Sequence, residues 1–373
     1  MRDRFFALPV MEGDSFYLER NIRNRSNVKI LVDGGKHTRQ NRAPLSRLLA
    51  PITPNIDVMV CTHADADHIQ GLIEVLRANN GSTYNFSVEE LWLPAQWLVL
   101  VEFVIGHSSY KDLRDTIRKY TTNDMESIGE LEEIDSPYLD ANEDKVGSTL
   151  PKDIVDGLTD KVLSRGAKSE ISKDILEFKN KLSDIVRLLI MAFHRKVKCR
   201  FFRHTDTEVP TGGEWFLRPA NAIEVSPHLR KRKPTIMNAI TACNEQSLVF
   251  HSPVSPEPDS ESYVLFSADS TFSFAYKPRM IEDAIVTIPH HGSNAHPLFY
   301  SWIHKKSATT VRSDRIKSPR PCPDYIALKK QKYCTVCNNQ TSQKQIEFTG
   351  NKSGWKLQCK CKSSPCRESC VCV

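Results

Sequence analysis

The sequence predicts a mixed α/β protein with a helical insertion and a small cysteine-rich module at its C-terminal end. Apolar segments of strand length recur up to residue 98 and again after residue 200, whereas 99–200 has the composition of helices. Eight of the 11 cysteines lie between residues 301 and 373. A chain of 373 residues, of which 40% are hydrophobic, can bury at least one large core. We therefore expect one folded body with a small appendage.

The first half of the body begins with hairpin-like strands. The segments RFFALPV and SFYLE flank the turn-like residues 11–14, and VKILVDGG ends at Asp33 before two glycines. A further strand, IDVMVCT, leads directly into the stretch CTHADADH at 61–68. The next residues place Ile69, Leu72, Ile73 and Leu76 on one face of a helix. The stretch 61–68 is therefore predicted to be a loop between the carboxyl end of a strand and the start of a helix, where α/β proteins build their sites.

Strand signals return in KCRFFRH, QSLVFHS, SYVLFSADS and DAIVTIPHH, and 253–262 is predicted to be a polar hairpin loop. No signal peptide or membrane-length apolar run is visible, so the sequence predicts a cytoplasmic protein whose cysteines stay reduced. The predicted parts are a first half of the body at 1–98, a helical insertion at 99–200, a second half at 201–304, a basic linker at 305–332 and a cysteine-rich module at 333–373.

Potential metal ligands follow three of the predicted strands. They are His63, Asp65, Asp67 and His68 after IDVMVCT, Asp269 after YVLFSA, and His290 and His291 after AIVTIP. Imidazoles and carboxylates both bind divalent metals, and six or more such ligands suffice for two ions. Because the set is rich in oxygen, manganese is favoured without excluding zinc. A hydroxide that bridges two ions would be the nucleophile, and the predicted catalytic residues are Asp67, His68 and Asp269.

Three other interpretations of the stretch 61–68 remain open. A calcium loop counted from Asp65 would need Gly and Glu where the chain has Gln70 and Leu76. A chance cluster in a polar loop is disfavoured, because further ligands recur at later strand ends. A relative that has lost its metals is also conceivable, although the loop motif is complete.

The motif His63-x-Asp65-x-Asp67-His68 resembles the signature of the metallo-β-lactamase fold, in the variant where aspartate replaces the second histidine. The segments MEGDSFYL, ILVDGG, THADADHIQGL, NEQSLVFHS, VLFSADS and IPHHGS resemble, in the same order, the nuclease-like domain of the DNA-uptake competence protein family. This resemblance covers 5–98 and about 235–300. It implies an αββα sandwich with a dinuclear site at one edge and metal-dependent hydrolysis of phosphodiesters, usually those of DNA.

The resemblance also implies roles for single residues. Asp33 would brace the site, Asp269 would bridge both ions, and either His290 or His291 would bind the second ion. The third single-histidine motif of many such enzymes has no clear equivalent, and the candidates are His107, His194, His204, His228 and His251. Four other residues near the motifs are candidates for outer or phosphate contacts, namely Lys36, His37, Ser293 and His296.

Charge is distributed unevenly along the chain. Residues 301–373 hold 15 Lys and Arg against 4 Asp and Glu, a net +11, and the remaining 36 basic and 41 acidic residues give −5. A basic segment beside an acidic body is typical of contact with a polyanion, so we expect a nucleic-acid partner, with DNA favoured over RNA. A solvated linker is the alternative. The predicted nucleic-acid contacts are Lys305, Lys306, Arg312, Arg315, Lys317, Arg320, Lys329 and Lys330.

The cysteines of the tail form pairs. Cys334-x-x-Cys337 and Cys359-x-Cys361 flank a predicted hairpin of IEF and WKL, an arrangement that resembles a zinc ribbon with a structural zinc. Disulfide links or disorder are the alternatives. Four cysteines remain for a second ion or for exchange with the first set, namely Cys322, Cys366, Cys370 and Cys372. A module this small needs metal to fold, so chelation is expected to unfold the tail before the body.

Together these features predict a metal-dependent hydrolase, in the first place a nuclease. Resemblance alone adds a role in bacterial anti-phage defence and a protein partner such as an NTPase. The alternatives are a weakly active or inactive adaptor that docks a protein partner, and a hydrolase of a small ester or cyclic nucleotide.

Overall fold

In the computed structural model of the protein, two β-sheets are stacked and helices cover their outer faces. The structure describes residues 2–10, 12–21, 27–36, 44–77, 84–98, 101, 174–225, 246–253, 262–279, 283–294, 296–314, 320–329, 331–335, 345–351 and 354–358. Over these residues the layers run helix, sheet, sheet and helix. The mixed α/β class predicted from the sequence is confirmed.

The larger sheet has nine strands in the described part of the chain, in the order β15-β14-β1-β2-β3-β4-β5-β6-β8. Their bounds are β1 (Arg4–Ala7), β2 (Phe16–Arg20), β3 (Val28–Val32), β4 (Asn55–Val60), β5 (Ser87–Pro94), β6 (Lys198–His204), β8 (Ala222–Val225), β14 (Ile346–Asn351) and β15 (Gly354–Leu357). The run from β3 to β6 is parallel, and the flanking pairs are antiparallel. The predicted hairpin-like strands at the N-terminal end are therefore β1, β2 and β3.

The smaller sheet has six strands in the described residues, in the order β13-β12-β11-β10-β9-β7. Their bounds are β7 (Arg218–Pro219), β9 (Phe250–Ser252), β10 (Val264–Phe266), β11 (Ala284–Thr287), β12 (Ala308–Arg312) and β13 (Gln331–Cys334). Strands β10 to β13 are parallel, whereas β9 is antiparallel to β10, as the hairpin predicted around 253–262 requires.

Apolar side chains alternate between the inner and outer faces of the strands. In β1, Phe5 faces the smaller sheet and Phe6 faces the helices, and both are buried, since each face of this sheet is covered. The inner layer between the sheets is rich in aromatic rings, among them Phe5, Phe16, Phe250 and Phe266. Packing of this layer fixes one sheet against the other.

Five α-helices are described. They are α1 (Leu45–Leu49), α2 (Ala66–Arg77), α3 (Asp174–His194), α4 (Pro297–Ile303) and α5 (Pro323–Ala327). Helices α1, α2 and α3 cover the larger sheet, and α4 and α5 cover the smaller one. Gln70 of α2 donates a hydrogen bond to Asp184 of α3 at 2.9 Å, so α3 belongs to the outer layer of the body.

Three predicted boundaries are therefore corrected. The insertion predicted at 99–200 does not include 174–200, because α3 and the start of β6 pack into the body. The predicted linker at 305–332 contains β12, α5 and the first half of β13, since ATTVR is buried as a strand of the smaller sheet. The hairpin predicted for the module at 333–373 exists as β14 and β15, but β14 pairs with β1 and so extends the larger sheet. The stretch 102–173 lies outside the described residues.

Candidate metal centre

The predicted ligands lie at the carboxyl ends of strands from both sheets. Strand β3 leads to Asp33, β4 to the stretch 61–68, β10 to Asp269 and β11 to the His290-His291 pair. Several of these residues adopt left-handed backbone conformations, which is costly for a side-chain-bearing residue and is concentrated at functional sites. The described non-glycine residues at the cluster with positive φ are Asp33, Ala268, His290 and His291.

The helix after the histidine-aspartate loop begins earlier than predicted. Asp67 and His68 form part of the first turn of α2, which begins at Ala66, because the carbonyl of Asp65 accepts hydrogen bonds from the backbone of His68 and Ile69. The expectation that all four ligands lie on a loop is therefore wrong for these two. Their geometry is helical, and it is set by the position of α2.

Two glycine turns fix that position. The backbone of Gly34 donates a hydrogen bond to the carbonyl of His68 at 2.7 Å, and that of Asp14 donates one to the carbonyl of Asp67 at 3.2 Å. A Cβ atom on Gly13 would lie 1.7 Å from the carbonyl oxygen of Asp67, and the φ of Gly13 is +94°. Only glycine permits this approach and this conformation.

The carboxylate of Asp269 lies at the middle of the cluster. Its Oδ2 lies 3.7 Å from Nε2 of His63, and its Oδ1 lies 3.3 Å from Nε2 of His68 and 3.7 Å from Nε2 of His291. Nε2 of His291 also lies 3.3 Å from Oδ2 of Asp67. The two oxygens of one carboxylate therefore face two different groups of ligands.

We define these groups by the oxygen they face. The first set is His63, Asp65 and Oδ2 of Asp269, with Nε2 of His63 lying 3.9 Å from Oδ2 of Asp65. The second set is Asp67, His68, His291 and Oδ1 of Asp269. Each set brings together imidazole and carboxylate groups, the donors that divalent transition metals take in proteins.

Outer carboxylates hold two of the imidazole rings in place. Oδ2 of Asp33 lies 2.8 Å from Nδ1 of His68, and the same carboxylate accepts hydrogen bonds from the backbone and hydroxyl of Thr62. Oδ1 of Asp14 lies 3.1 Å from Nδ1 of His291. In both cases the carboxylate orients the ring so that Nε2 faces Asp269, which is how outer partners position metal-binding histidines.

These charges shift the pKa values of the cluster. Burial alone would lower the pKa of His68 and of His291. Asp269 and Asp33 nevertheless raise the pKa of His68 well above its ordinary value. Asp14 and Asp269 raise the pKa of His291 in the same way. Burial would raise the pKa of Asp269, but the two imidazoles hold it well below its usual range. Protons on the rings thus compete with metal ions for the same nitrogens.

The cluster fits a pair of divalent metal ions. Nε2 of His63, His68 and His291 and Oδ1 of Asp269 are buried atoms without a hydrogen-bond partner among the described residues. Buried polar atoms in folded proteins nearly always have partners. A cation within each set would satisfy all four atoms, so the residues present are suited to hold metal.

A lysine outside the sequence prediction contacts the first set. Nζ of Lys181, on α3, lies 2.8 Å from Oδ1 of Asp65. This ion pair offsets the charge of the carboxylate and leaves its Oδ2 directed toward His63. Helix α3 therefore contributes to the centre as well as to the outer layer.

The described candidates for the missing third histidine lie elsewhere. His204 is 3.7 Å from Asp206, His251 stacks on Tyr263, and His194 is exposed at the end of α3. The other two candidates, His107 and His228, lie outside the described residues, as does His37, which is a candidate for a phosphate contact. By contrast, both histidines at the end of β11 lie within 3.7 Å of the carboxylate of Asp269.

The remaining predicted contact residues divide into four groups. Lys305 and Lys329 are exposed, and Lys306 lies over the ring of Trp302. Arg312 is fully buried and donates a hydrogen bond to the carbonyl of His291, so its prediction as a nucleic-acid contact is wrong, since it lies inside the smaller sheet. Arg320 lies 3.9 Å from Asp314 near the centre. Arg315, Lys317 and Lys330 lie outside the described residues.

Three further predictions concern a serine, a lysine and a cysteine. The backbone of Ser293 donates to the carbonyl of His290 at 3.0 Å, so it is already engaged within the protein. Lys36 pairs with Glu12 at 3.2 Å. Cys334 is buried at the end of β13, beside the hydroxyl of Tyr325 at 3.8 Å. Its predicted zinc partners, Cys337, Cys359 and Cys361, lie outside the described residues, and the structural zinc stays a prediction.

Asp14 and Lys181 were missed by the sequence analysis. Asp14 lies in a turn between the antiparallel strands β1 and β2, whereas the predicted ligands follow strands β4, β10 and β11. The Gly13-Asp14 pair was the available signal, since a glycine next to a carboxylate permits close approach to another chain segment. Lys181 gave no signal, because its partner Asp65 is distant in the sequence.

Comparison with known proteins agrees with this geometry. Residues 13–149 match the family model of the metallo-beta-lactamase superfamily. The matched range contains Asp14, Asp33 and the stretch 61–68, whereas Asp269 and the β11 histidines lie beyond it. The metallo-beta-lactamase superfamily is generally hydrolytic, which indicates a metal-dependent hydrolase. No curated protein matches the chain. Among the described residues, no helix is both long and apolar enough to cross a membrane.

Proposed function

We propose that the protein is a metal-dependent phosphodiesterase that cleaves nucleic acid, with DNA as the preferred substrate. The observation that carries this proposal is the division of the imidazole nitrogens between the two oxygens of Asp269. A carboxylate that faces two ligand sets suits a pair of ions, and such pairs serve in-line displacement at phosphorus.

The chain's own residues prepare this chemistry. When bound, a pair of divalent ions supplies Lewis acidity, which lowers the pKa of water and offsets the negative charge of a phosphate. Asp33 and Asp14 hold the rings of His68 and His291 at fixed angles, so little reorganisation is needed during the reaction. Helix α3 flanks the first set through Lys181.

A cationic side chain near the centre and exposed lysines elsewhere in the C-terminal part of the chain favour an anionic substrate. Arg320 lies close enough to His290 for its charge to lower the pKa of that ring; burial lowers this pKa most strongly, and the charge of Asp269 opposes the shift. Lys305 and Lys329 are exposed in the same C-terminal part of the chain. A phosphodiester backbone carries the charge that such groups bind, whereas a neutral ester does not.

The test is hydrolysis by the purified full chain loaded with Mn²⁺ or Zn²⁺. Single-stranded and double-stranded DNA, RNA, a cyclic nucleotide and a neutral ester are compared. Asp67→Ala should lower the cleavage rate of DNA more than about 100-fold, because loss of outer partners alone costs about 10- to 100-fold. Asp324→Ala, which removes an exposed carboxylate from α5, is the matched control and should retain the wild-type rate.

Several outcomes would contradict the proposal. Cleavage that survives Asp67→Ala would come from another site or a contaminant. Metal-loaded protein that cuts no nucleic acid but hydrolyses the ester would indicate a small-molecule hydrolase. A stable complex with a protein partner that forms equally well with Asp67→Ala, without any cleavage, would indicate an adaptor.

Salt dependence is expected of DNA binding. Contacts between basic side chains and phosphates release counterions, so the logarithm of the binding constant should fall linearly with the logarithm of salt concentration. Lys305→Ala and Lys329→Ala together should make that slope shallower by up to about 2, since each lost phosphate contact removes about 0.9. Fluorescence anisotropy of a labelled duplex measures the slope. A slope near zero for the wild type would rule out a phosphate-binding surface.

A further inference from the structure

The adjacent histidines at the end of β11 point in different directions. His290 has φ 46° and ψ 45°, and His291 has φ 54° and ψ 24°. Two successive left-handed residues turn the chain sharply, and the ring planes lie at 79° with centroids 6.0 Å apart. The ring of His291 is fully buried, whereas that of His290 is 27% exposed. The pair can therefore serve two separate positions.

The two rings approach different oxygens of Asp269. Nε2 of His290 lies 3.7 Å from Oδ2, the oxygen that also has Nε2 of His63 at 3.7 Å. Nε2 of His291 lies 3.7 Å from Oδ1, the oxygen that faces His68. By this criterion His290 belongs with the first set and His291 with the second.

The other ring nitrogen of His290 is held from outside the cluster. Nδ1 of His290 lies 3.1 Å from Nε2 of His296, whose ring is buried beside it. His296 thus orients the ring of His290. Asp14 orients the ring of His291 in the same way, and Asp33 orients that of His68. In each case an outer partner at Nδ1 leaves Nε2 for the centre.

The first set also needs another donor. Besides the shared Asp269 it has His63 and Asp65, whereas the second set has Asp67, His68 and His291. Among the described residues, His204 and His251 are engaged elsewhere and His194 is exposed. With His290 the two sets become equal, with three residues each around a shared carboxylate.

We propose that His290 and His291 bind different metal ions, His290 completing the first set and His291 the second. The inference rests on the metal centre of the proposed function and goes beyond it, because it assigns both neighbouring histidines and replaces the missing third histidine. One turn of the chain then supplies a ligand to each ion, so a shift of this turn would disturb both ions together.

The test measures bound metal without any substrate. Metal-free protein is titrated with Mn²⁺, bound ions are counted by elemental analysis after gel filtration, and paramagnetic resonance reports whether two ions are coupled. The wild type should bind two ions with a coupled signal. His290→Ala and His63→Ala should each weaken one ion by more than about 100-fold, since loss of outer partners alone costs 10- to 100-fold, and leave an uncoupled signal.

Double variants identify the set. His290→Ala with His63→Ala should still bind one ion, because both changes affect the same position. His290→Ala with His68→Ala should bind none. His304→Ala removes an exposed imidazole near the end of α4 and should retain both ions. His290→Gln repeats the measurement with a side chain of similar length, and thermal unfolding of the metal-free variants checks that each is folded.

Two results would overturn the inference. His290→Ala or His290→Gln could keep two coupled ions with affinity within about twofold of the wild type, or the double variant with His63→Ala could bind none. These failures differ from failure of the proposed function. A wild type that shows the expected metal pattern but cuts no nucleic acid leaves the inference standing and removes the nuclease.

Discussion

The ring of His291 is held on both sides by carboxylates. Asp14 lies at Nδ1, and Asp67 and Asp269 lie at Nε2, all within 3.1 to 3.7 Å. Such a chain of carboxylate, imidazole and metal site fixes the ring and raises its basicity. At the scale of single residues, the orientation of His291 therefore depends on Asp14 as well as on the carboxylates of the second set.

Asp14→Asn tests this role. The amide is close in size to the carboxylate but lacks its charge, so the affinity for one Mn²⁺ should fall about 10- to 100-fold while the fold is retained. Calorimetric titration of the metal-free protein measures the change. Asp57→Asn, at a carboxylate that accepts a hydrogen bond from the backbone of Lys29, is the control. Wild-type affinity in Asp14→Asn would show that Asp14 does not orient His291.

At the scale of elements, the C-terminal hairpin is part of the body. Phe348 of β14 packs against Phe5 of β1 with ring centroids 6.2 Å apart, and the indole of Trp355 donates a hydrogen bond to the carbonyl of Tyr263 at 2.9 Å. A hairpin held in this way should unfold with the sheets. The expectation that chelation unfolds the tail first is therefore revised for β14 and β15.

Phe348→Ala should destabilise the whole protein. The side chain is 2% exposed, so its removal is expected to lower the free energy of unfolding by about 3 to 5 kcal/mol. Urea denaturation followed by circular dichroism measures this change. Leu298→Ala, at a position that is 55% exposed, should change the free energy by less than about 0.5 kcal/mol. If Phe348→Ala were equally mild, the hairpin would not be part of the cooperative unit.

Elements with local signals were predicted well, and those that depend on distant partners were not. Strands β1 to β4 and the face of α2 follow from alternation and helical spacing in the sequence. The excess of basic residues predicts a linker where β12 lies, because arginine and lysine are seldom buried, whereas Arg312 is buried in the structure. The pairing of β14 with β1 joins opposite ends of the chain, which no local pattern indicates.

The same distinction applies to the centre. His63, Asp65 and Asp269 were identified because each follows a strand, and strand ends meet at one edge of a parallel sheet. The start of α2 at Ala66 depends on the turns at Gly13 and Gly34, so it required the tertiary structure. The substrate is harder still to predict from the sequence, because substrate choice depends on surfaces around the centre that distant segments form together.

At the scale of the whole molecule, a buried histidine makes stability depend on pH. Burial, together with the charge of Arg218, lowers the pKa of His251 from 6.5 to about 4. Above pH 6.5 the ring is neutral in the folded and unfolded chains, so it contributes no pH dependence there. Below pH 6.5 the imidazole of His251 binds a proton in the unfolded chain but stays neutral in the folded protein until the pH approaches 4. The free energy of unfolding therefore falls as the pH is lowered toward 4.

His251→Gln should remove this part of the acid sensitivity. The wild type is expected to lose up to about 3 kcal/mol through this group between pH 6.5 and 4, and the variant should lose correspondingly less. Urea denaturation at a series of pH values measures both proteins. His304→Gln, at an exposed position, should follow the wild type. Parallel curves for His251→Gln and the wild type would show that another group causes the acid sensitivity.

The connection between the two ends of the chain has a consequence for synthesis. The hydroxyl of Ser313 accepts a hydrogen bond from the backbone of Ser15 and donates one to the carbonyl of Gly13, so a segment late in the sequence helps to hold the turn that carries Asp14. A nascent polypeptide on the ribosome also exposes the edge of β1 until β14, which pairs with it, has been synthesised. Because Ser313 follows every proposed metal ligand in the sequence, the turn that carries Asp14 would gain this support only after all of those ligands have been synthesised.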